Sequence, residues 1–253
     1  MITSTANPLV KDLLRLRNRR ERDLRGQFLI EGRRPLLRAV EGGAEVVQQV
    51  VCRDMGGRPL ADIPVVEMGE APFRRLSLRQ SPDGVLGVAA HLDTSLARLR
   101  VSAQPLVLVV ESLEKPGNLG AVLRTCDGLG VDALVVADPA TDAHNPNVVQ
   151  ASQGALFTVP LGVGSGPEVR RWLEERGIRL LATTPEGGLP PWDADLAGSV
   201  AIAIGSEAAG LGPAMVSAAD ATVTIPMQGR VDSLNASVTA GVVAYEAVRQ
   251  RQG

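Results

Sequence analysis

The sequence predicts a two-domain α/β protein, in which a mostly parallel sheet covered by helices follows a smaller α/β domain. Three observations carry this. A chain of 253 residues is long enough for one large or two medium domains, each with a buried core. Apolar residues make up 45% and charged residues 21%, a globular composition far from that of a disordered chain. From residue 105 onward, short runs of Val, Ile and Leu alternate with helical patterns, as in a sheet buried on both faces.

Taken in order, NPLVKDLLRLRNRRERDLR spaces Leu9, Leu13, Leu16 and Leu24 near helical period with Arg on the other faces, which predicts one amphipathic helix over 7–25. QFLIEG reads as a strand and RRPLLRAVEGG as a helix closed by Gly42 and Gly43. VVQQVVC and IPVVEM are strands, 72–80 a helix, and 84–90 a last strand after a Pro-Asp-Gly turn. These make a first domain over 1–95. The segment 96–104 shows no apolar period that demands burial and is expected to be a linker. The second domain, 105–253, alternates PLVLVVE, the helix LGAVLRTCDGLG, DALVVAD, a helix near 147–156 and the strand LFTVPLG. It continues with the helix EVRRWLEERG, the strands IRLLATT and SVAIAIG, the helix AAGLGPAMVSAA and the strand ATVTIPM, then a long helix from about Ser233.

Several classes of function are excluded. Cys52 and Cys126 stand far apart, and with only His91 and His144 they build neither a disulfide framework nor a metal site, so no metal is expected. The start of the chain lacks a secretory apolar core, and runs such as 106–110 are far too short to span a bilayer, which points to a cytoplasmic protein without membrane partners. Neither G-x-G-x-x-G nor G-x-x-x-x-G-K-[ST] occurs, and G-x-S-x-G is missing around Ser206.

The charge is uneven. The net value is −2, yet residues 1–40 carry +6 and the remainder −8, and 24 of the 26 cations are arginine. A basic front end on an acidic body is one footprint of polyanion binding; biased base composition of the gene explains the arginine excess equally well. Only six aromatic residues are present, too few for wide base-stacking platforms.

Ligands of parallel α/β sheets bind outside the carboxyl ends of strands, so the loops there hold the candidates. After PLVLVVE, Gly117, Asn118 and Gly120 open a helix that carries Arg124. SVAIAI runs into Gly205, Ser206 and Glu207, then Gly210. ATVTIPM ends at Pro226, and Ser233 is expected to cap the helix containing Leu234 and Asn235. Each has a local explanation as well: Asn118 as a helix cap, Glu207 as a complement to a helix dipole, Arg124 as an ion-pair partner. The small residues Ala236, Ala240, Gly241 and Ala244 form a stripe suited to close packing.

Together, NLGAVLRTCDGLGVDAL, AIAIGSEAAGL and IPMQGRVDSLNASVTAGVVAYEA resemble the three motifs of the SpoU/TrmH family (SPOUT superfamily) of RNA ribose 2′-O-methyltransferases. NPLVKDLLRLRNRRERDLRGQFLIEGRRPLLRAV and SPDGVLGVA resemble the ribosomal-protein-like RNA-binding domain found ahead of it in many members. The resemblance covers nearly the whole chain. It implies an α/β-knot catalytic domain, whose deep trefoil knot forms the S-adenosylmethionine pocket, and a homodimer packed through that region. By position it implies cofactor contacts at Ile204, Gly205, Ser206, Glu207, Gly210, Ile225, Pro226, Met227, Ser233, Leu234 and Asn235. Catalytic roles fall on Asn118, Arg124, Glu207, Ser233 and Asn235, with Asn118 and Arg124 facing the ribose. RNA contacts are expected from Lys11, Arg15, Arg19, Arg20, Arg22, Arg33 and Arg34. Gln150 stands where many members carry a basic residue.

The expected function is therefore methyl transfer to a ribose 2′-hydroxyl, in ribosomal RNA by family analogy. The alternatives are transfer RNA as substrate, a non-catalytic RNA-binding protein on the same scaffold, and an unrelated α/β enzyme acting on a small phosphorylated metabolite.

Overall fold

The computed structural model describes residues 1–60 and 62–252. In chain order its elements are α1 (Pro8–Arg15), α2 (Arg19–Arg25), β1 (Gln27–Glu31), α3 (Arg33–Glu41), β2 (Val46–Val51), β3 (Val65–Glu67), α4 (Glu70–Leu76), β4 (Val85–Ala90), β5 (Leu106–Glu111) and α5 (Pro116–Leu129). There follow β6 (Ala133–Ala137), α6 (Pro146–Ser152), β7 (Leu161–Gly164), α7 (Gly166–Glu174), β8 (Arg179–Thr183), β9 (Val200–Ile204), α8 (Pro213–Ser217), β10 (Ala221–Val223) and α9 (Ala236–Gln252). They form two compact units: Met1–Leu92 with Asp142–Thr158, and Asp93–Thr141 with Val159–Gly253. Residues 142–158, expected in the second domain, thus group with the first.

The first unit holds a four-stranded sheet in the order β1-β4-β2-β3, antiparallel except for the β2–β3 pair. Its core gathers Leu13 and Leu16, Leu29, Val50, Phe73 and Leu86. The expected single helix over 7–25 is two. Asn7 and Asn18 each turn their side chain back to accept from the amide two residues on, Leu9 and Arg20, and an Asn in that posture starts a helix. Arg17 and Asn18 therefore form a corner, and Leu24, expected on the apolar face, is exposed.

The same corner corrects a second expectation. Arg22, expected to meet RNA, is 1% exposed. Its guanidinium donates to the carbonyls of Leu16 and Arg17 and pairs with Asp142 at 2.6 Å. A buried charge is retained only when paired and hydrogen-bonded, so Arg22 anchors residues 142–158 within this unit and is withdrawn from the RNA-facing set.

The two histidines of the chain meet nearby. His91 and His144 stack at 4.1 Å between centroids, with Phe28 against His144 at 4.7 Å. His144 Nε2 accepts from the Leu92 amide at 3.0 Å, which requires that nitrogen to be unprotonated. Burial pushes His144 down to about 4 and His91 down as well; Asp23 and Asp142 oppose this, while Arg22 reinforces it. Unfolded histidine titrates near ~6.5. Between these values the folded chain binds fewer protons than the unfolded one, so stability falls as pH drops through that window and is unaffected above it. Thermal melts should show the Tm falling from pH 6.5 to 4.5, and falling less in His144→Phe, which keeps an aromatic ring in the stack but cannot titrate. An equal fall in both would remove the histidine pair as the cause.

The second unit is a six-stranded parallel sheet in the order β10-β8-β9-β5-β6-β7. Every residue of β5, β6 and β9 is buried, which accounts for their unbroken apolar runs. One face packs against Val169, Trp172 and Leu173 of α7. Residues 96–104 are not a free linker: Leu96, Leu99 and Val101 pack onto that core. In 156–162 the strand begins only at Leu161, because Ala155–Phe157 is a 3-10 turn. The helix expected over 208–219 is only α8, and that expected over 72–80 is α4, which ends where Ser77 becomes extended and its hydroxyl donates to Glu31.

Candidate active site

The carboxyl ends of β8, β9 and β10 open into one cavity of about 440 Å³. Ile204, Gly205, Ser206, Glu207, Gly210, Ile225, Met227, Ser233 and Leu234 line it, while Pro226 and Asn235 do not. The chain turns sharply after β9. Ser206 and Gly210 exchange both backbone hydrogen bonds, at 3.2 and 2.9 Å. Gly205 packs so closely on this turn that a Cβ there would overlap the carbonyl carbon of Gly210 and the amide nitrogen of Leu211.

Sequence reasoning missed Thr183 and Thr184 at the end of β8, along with Val216, Val223 and Thr239, all of which line the cavity. The strand-end rule applied to β9 and β10 would have reached the threonines too, since β8 pairs with both of those strands. Thr183 Oγ1 donates to Ala203 O at 2.9 Å and Thr184 meets Thr224 at 3.2 Å, so this wall is tied to both neighbours.

Beside the cavity, one residue from the first turn of α5 and two from the loops after β9 and β10 form a chain of hydrogen bonds. Asn118 Nδ2 donates to Glu207 Oε1, and Asn235 Nδ2 donates to Asn118 Oδ1 at 3.3 Å. None of the three side chains serves its local alternative alone. Lys115, not Asn118, occupies the N-cap of α5, so the Asn118 amide is free for this contact. Glu207 lies in the turn after β9, six residues ahead of α8, where no helix dipole needs it. Asn235, and not Ser233 as expected, caps α9: its Oδ1 accepts from the Ser237 amide at 2.9 Å. Ser233 remains on the cavity wall, exposed.

Arg124 lies roughly 9 Å further along α5 than Asn118, at ~1.5 Å per residue. It is exposed and pairs with no carboxylate among the described residues. The opposite face of α5, with Leu119, Val122, Leu123 and Cys126, is buried. Burial pushes the Cys126 thiol up to about 12, which leaves it inert as a nucleophile. Among the described residues no group of His, Cys, Asp and Glu could hold a metal ion.

A model of the SpoU rRNA methylase family matches residues 105–245. The chain belongs to this family. A second model, the MRM3-like substrate binding domain, matches residues 7–87. The crystal structure of an RNA 2′-O ribose methyltransferase superposes with a TM-score of 0.88 at 42% identity, over 100% of this chain and 99% of that one. The SpoU methyltransferase AviRb from Streptomyces viridochromogenes, solved in complex with AdoMet, gives a TM-score of 0.89 at 32% identity over 98% and 99% of the chains. A relative from Streptomyces viridochromogenes named 23S rRNA (uridine(2479)-2′-O)-methyltransferase is 35% identical over 93% of this chain and 87% of its own length.

Proposed function

We propose that this SpoU chain transfers a methyl group from S-adenosylmethionine to a ribose 2′-hydroxyl of ribosomal RNA. One observation carries the reading: a polar chain drawn from the start of α5 and from two strand-end loops stands against a cavity built largely from backbone and apolar side chains. The similar proteins named for 23S rRNA methylation and solved with AdoMet support it.

The cavity suits such a cofactor. Its volume falls within the ~300–1,000 Å³ of small-molecule sites. Ile204, Ile225, Met227 and Leu234 offer apolar walls for a flat ring, and the Gly205 turn brings backbone groups close without side chains in the way. Ser206, Thr184 and Ser233 supply hydroxyls for polar groups. When bound, the cofactor supplies an electrophilic methyl group on a sulfonium. Asn118, Glu207 and Asn235 hold one another and so orient the face on which the ribose lies; fixing the attacking oxygen in line is worth much of the acceleration. The guanidinium of Arg124 supplies a positive charge that stabilises the developing oxyanion or the neighbouring phosphate. The proton of the hydroxyl leaves to water or to an RNA phosphate.

Ile225, Met227, Asp232, Ser233 and Leu234 close the cavity from the carboxyl-terminal segment, the part of the chain that carries the knot in this reading. A second copy of the chain covers the apolar groove of about 660 Å³ that includes Trp192, Val242 and Tyr245; Trp192 and Tyr245 are 60% and 64% exposed. No helix among the described residues is long and apolar enough to cross a membrane, and the working compartment is the cytoplasm.

RNA is held by the first unit. Lys11, Arg20, Arg33 and Arg34 are exposed and without carboxylate partners among the described residues, whereas Arg15 and Arg19 share their charge with Glu21 and Asp23. Changing those four to alanine should weaken RNA binding at low salt. It should also flatten the plot of log K against log salt by about 3, at ~0.7–0.9 for each phosphate no longer neutralised. An unchanged slope in filter binding would take this face out of the interface.

The whole reading is tested by mapping 2′-O-methyl nucleotides in ribosomal RNA from cells with and without the gene, alongside calorimetry with S-adenosylmethionine. A site that disappears with the gene and a heat of binding are expected. Absence of both would leave an RNA-binding protein on a methyltransferase scaffold.

A further inference from the structure

β5 fastens the turn between β9 and α8 at both ends. At the opening end, the parallel ladder pairs Val110 with Ile204, one residue before Gly205. At the closing end, Glu111 Oε2 accepts a hydrogen bond from the Gly212 amide at 2.5 Å. Glu111 is the last residue of β5 and only 8% exposed. It does not line the cavity. A buried carboxyl group is costly unless it is hydrogen-bonded, and here, at the end of a strand otherwise filled by Leu and Val, its partner is a backbone amide rather than a cation. Gly212 permits this approach: a Cβ on it would sit 3.3 Å from Glu111 Oε2.

Between these fastenings the chain doubles back on itself, with Glu207 reaching Asn118. The turn is internally bonded through Ser206 and Gly210, but that alone does not fix it to the sheet. The strand that ends in Glu111 leads directly through Ser112 into α5 and Asn118. Ser112 is itself held, its amide donating to Ala137 O at 3.0 Å and its hydroxyl to Asp138 O at 3.2 Å. The end of β5 therefore sets both members of the Glu207–Asn118 pair.

We propose that Glu111 is a positioning residue, whose carboxyl group ties the turn bearing Glu207 to the strand leading to Asn118 and so holds the cofactor wall in shape. This rests on the reading of the cavity as an S-adenosylmethionine site. The test compares the full-length chain with Glu111→Gln, which keeps an acceptor oxygen, and Glu111→Met, of similar length without one. Amide hydrogen exchange over 206–212 is followed without cofactor, and the Kd for S-adenosylmethionine by calorimetry. In Glu111→Met, exchange in that segment should quicken while β5 and β6 stay protected, and the Kd should rise about tenfold, the scale of one hydrogen bond to a charged group. Glu111→Gln should stay close to the wild type in both. Wild-type behaviour of Glu111→Met, or equal damage in both variants, overturns the proposal. A wild-type chain that binds no S-adenosylmethionine instead sinks the cofactor reading, while the exchange data still decide the tether.

Discussion

Arg124→Ala is expected to lower kcat by about 10² to 10³-fold, the range for removing one preorganised electrostatic group, while S-adenosylmethionine binding stays close to the wild type. The separation follows from position. Arg124 stands outside the cavity lining, so its loss leaves the cofactor walls intact. It forms no ion pair among the described residues, so no carboxylate is stranded and stability changes little. An arginine kept free of partners on an exposed helix face is available for an anionic group that arrives with substrate. Arg124→Lys sharpens the test, because it keeps the charge and loses the planar fork. A partial loss of about tenfold or more, measured as single-turnover rate at saturating cofactor, fits bidentate stabilisation of a developing charge. Full activity in the lysine variant would reduce the requirement to charge alone, and full activity in the alanine variant would withdraw Arg124 from the chemistry.

How far these roles could be read from residues alone differs from place to place. The strands of the second unit were legible because burial on both faces writes unbroken runs such as VLVV and AIAI. The loops that follow were legible from Gly, Asn and Glu placed at strand ends. Two features were not. The break at Asn18 hides inside an acceptable helical pattern, because the amphipathic spacing continues across it and only the capping geometry of Asn18 reveals the corner. The burial of Arg22 depends on Asp142, 120 residues away, and no local pattern can announce a partner so distant. The alanines of α9 carry a related lesson. Ala236, Ala240 and Ala244 are buried, as a packing stripe predicts, whereas Val242 and Tyr245 on the same helix stand exposed. Periodicity identifies which residues share a face of a helix, but which face the chain itself covers is settled only by tertiary packing.

The second large effect is expected at Gly205. Any side chain there collides with backbone atoms of Gly210 and Leu211, which cannot rotate away as a flexible side chain could. Gly205→Ala must therefore open the turn, breaking the paired bonds between Ser206 and Gly210. Overpacking of this kind costs about 1–3 kcal/mol, or roughly fivefold to a hundredfold in affinity at ~1.4 kcal/mol per tenfold. The loss should fall on S-adenosylmethionine binding, since the displaced residues line the cavity, and on kcat, since Glu207 moves with the turn. Gly210→Asn supplies the contrast. Gly210 has φ +67° with open space around the position of a Cβ, and Asn tolerates that left-handed conformation better than other residues. Its Kd should stay within a few-fold of the wild type in the calorimetry that registers the damage in Gly205→Ala. Equal losses in the two variants would show that the turn needs backbone freedom throughout. A loss confined to Gly205 identifies close backbone approach as the feature that shapes the cofactor wall.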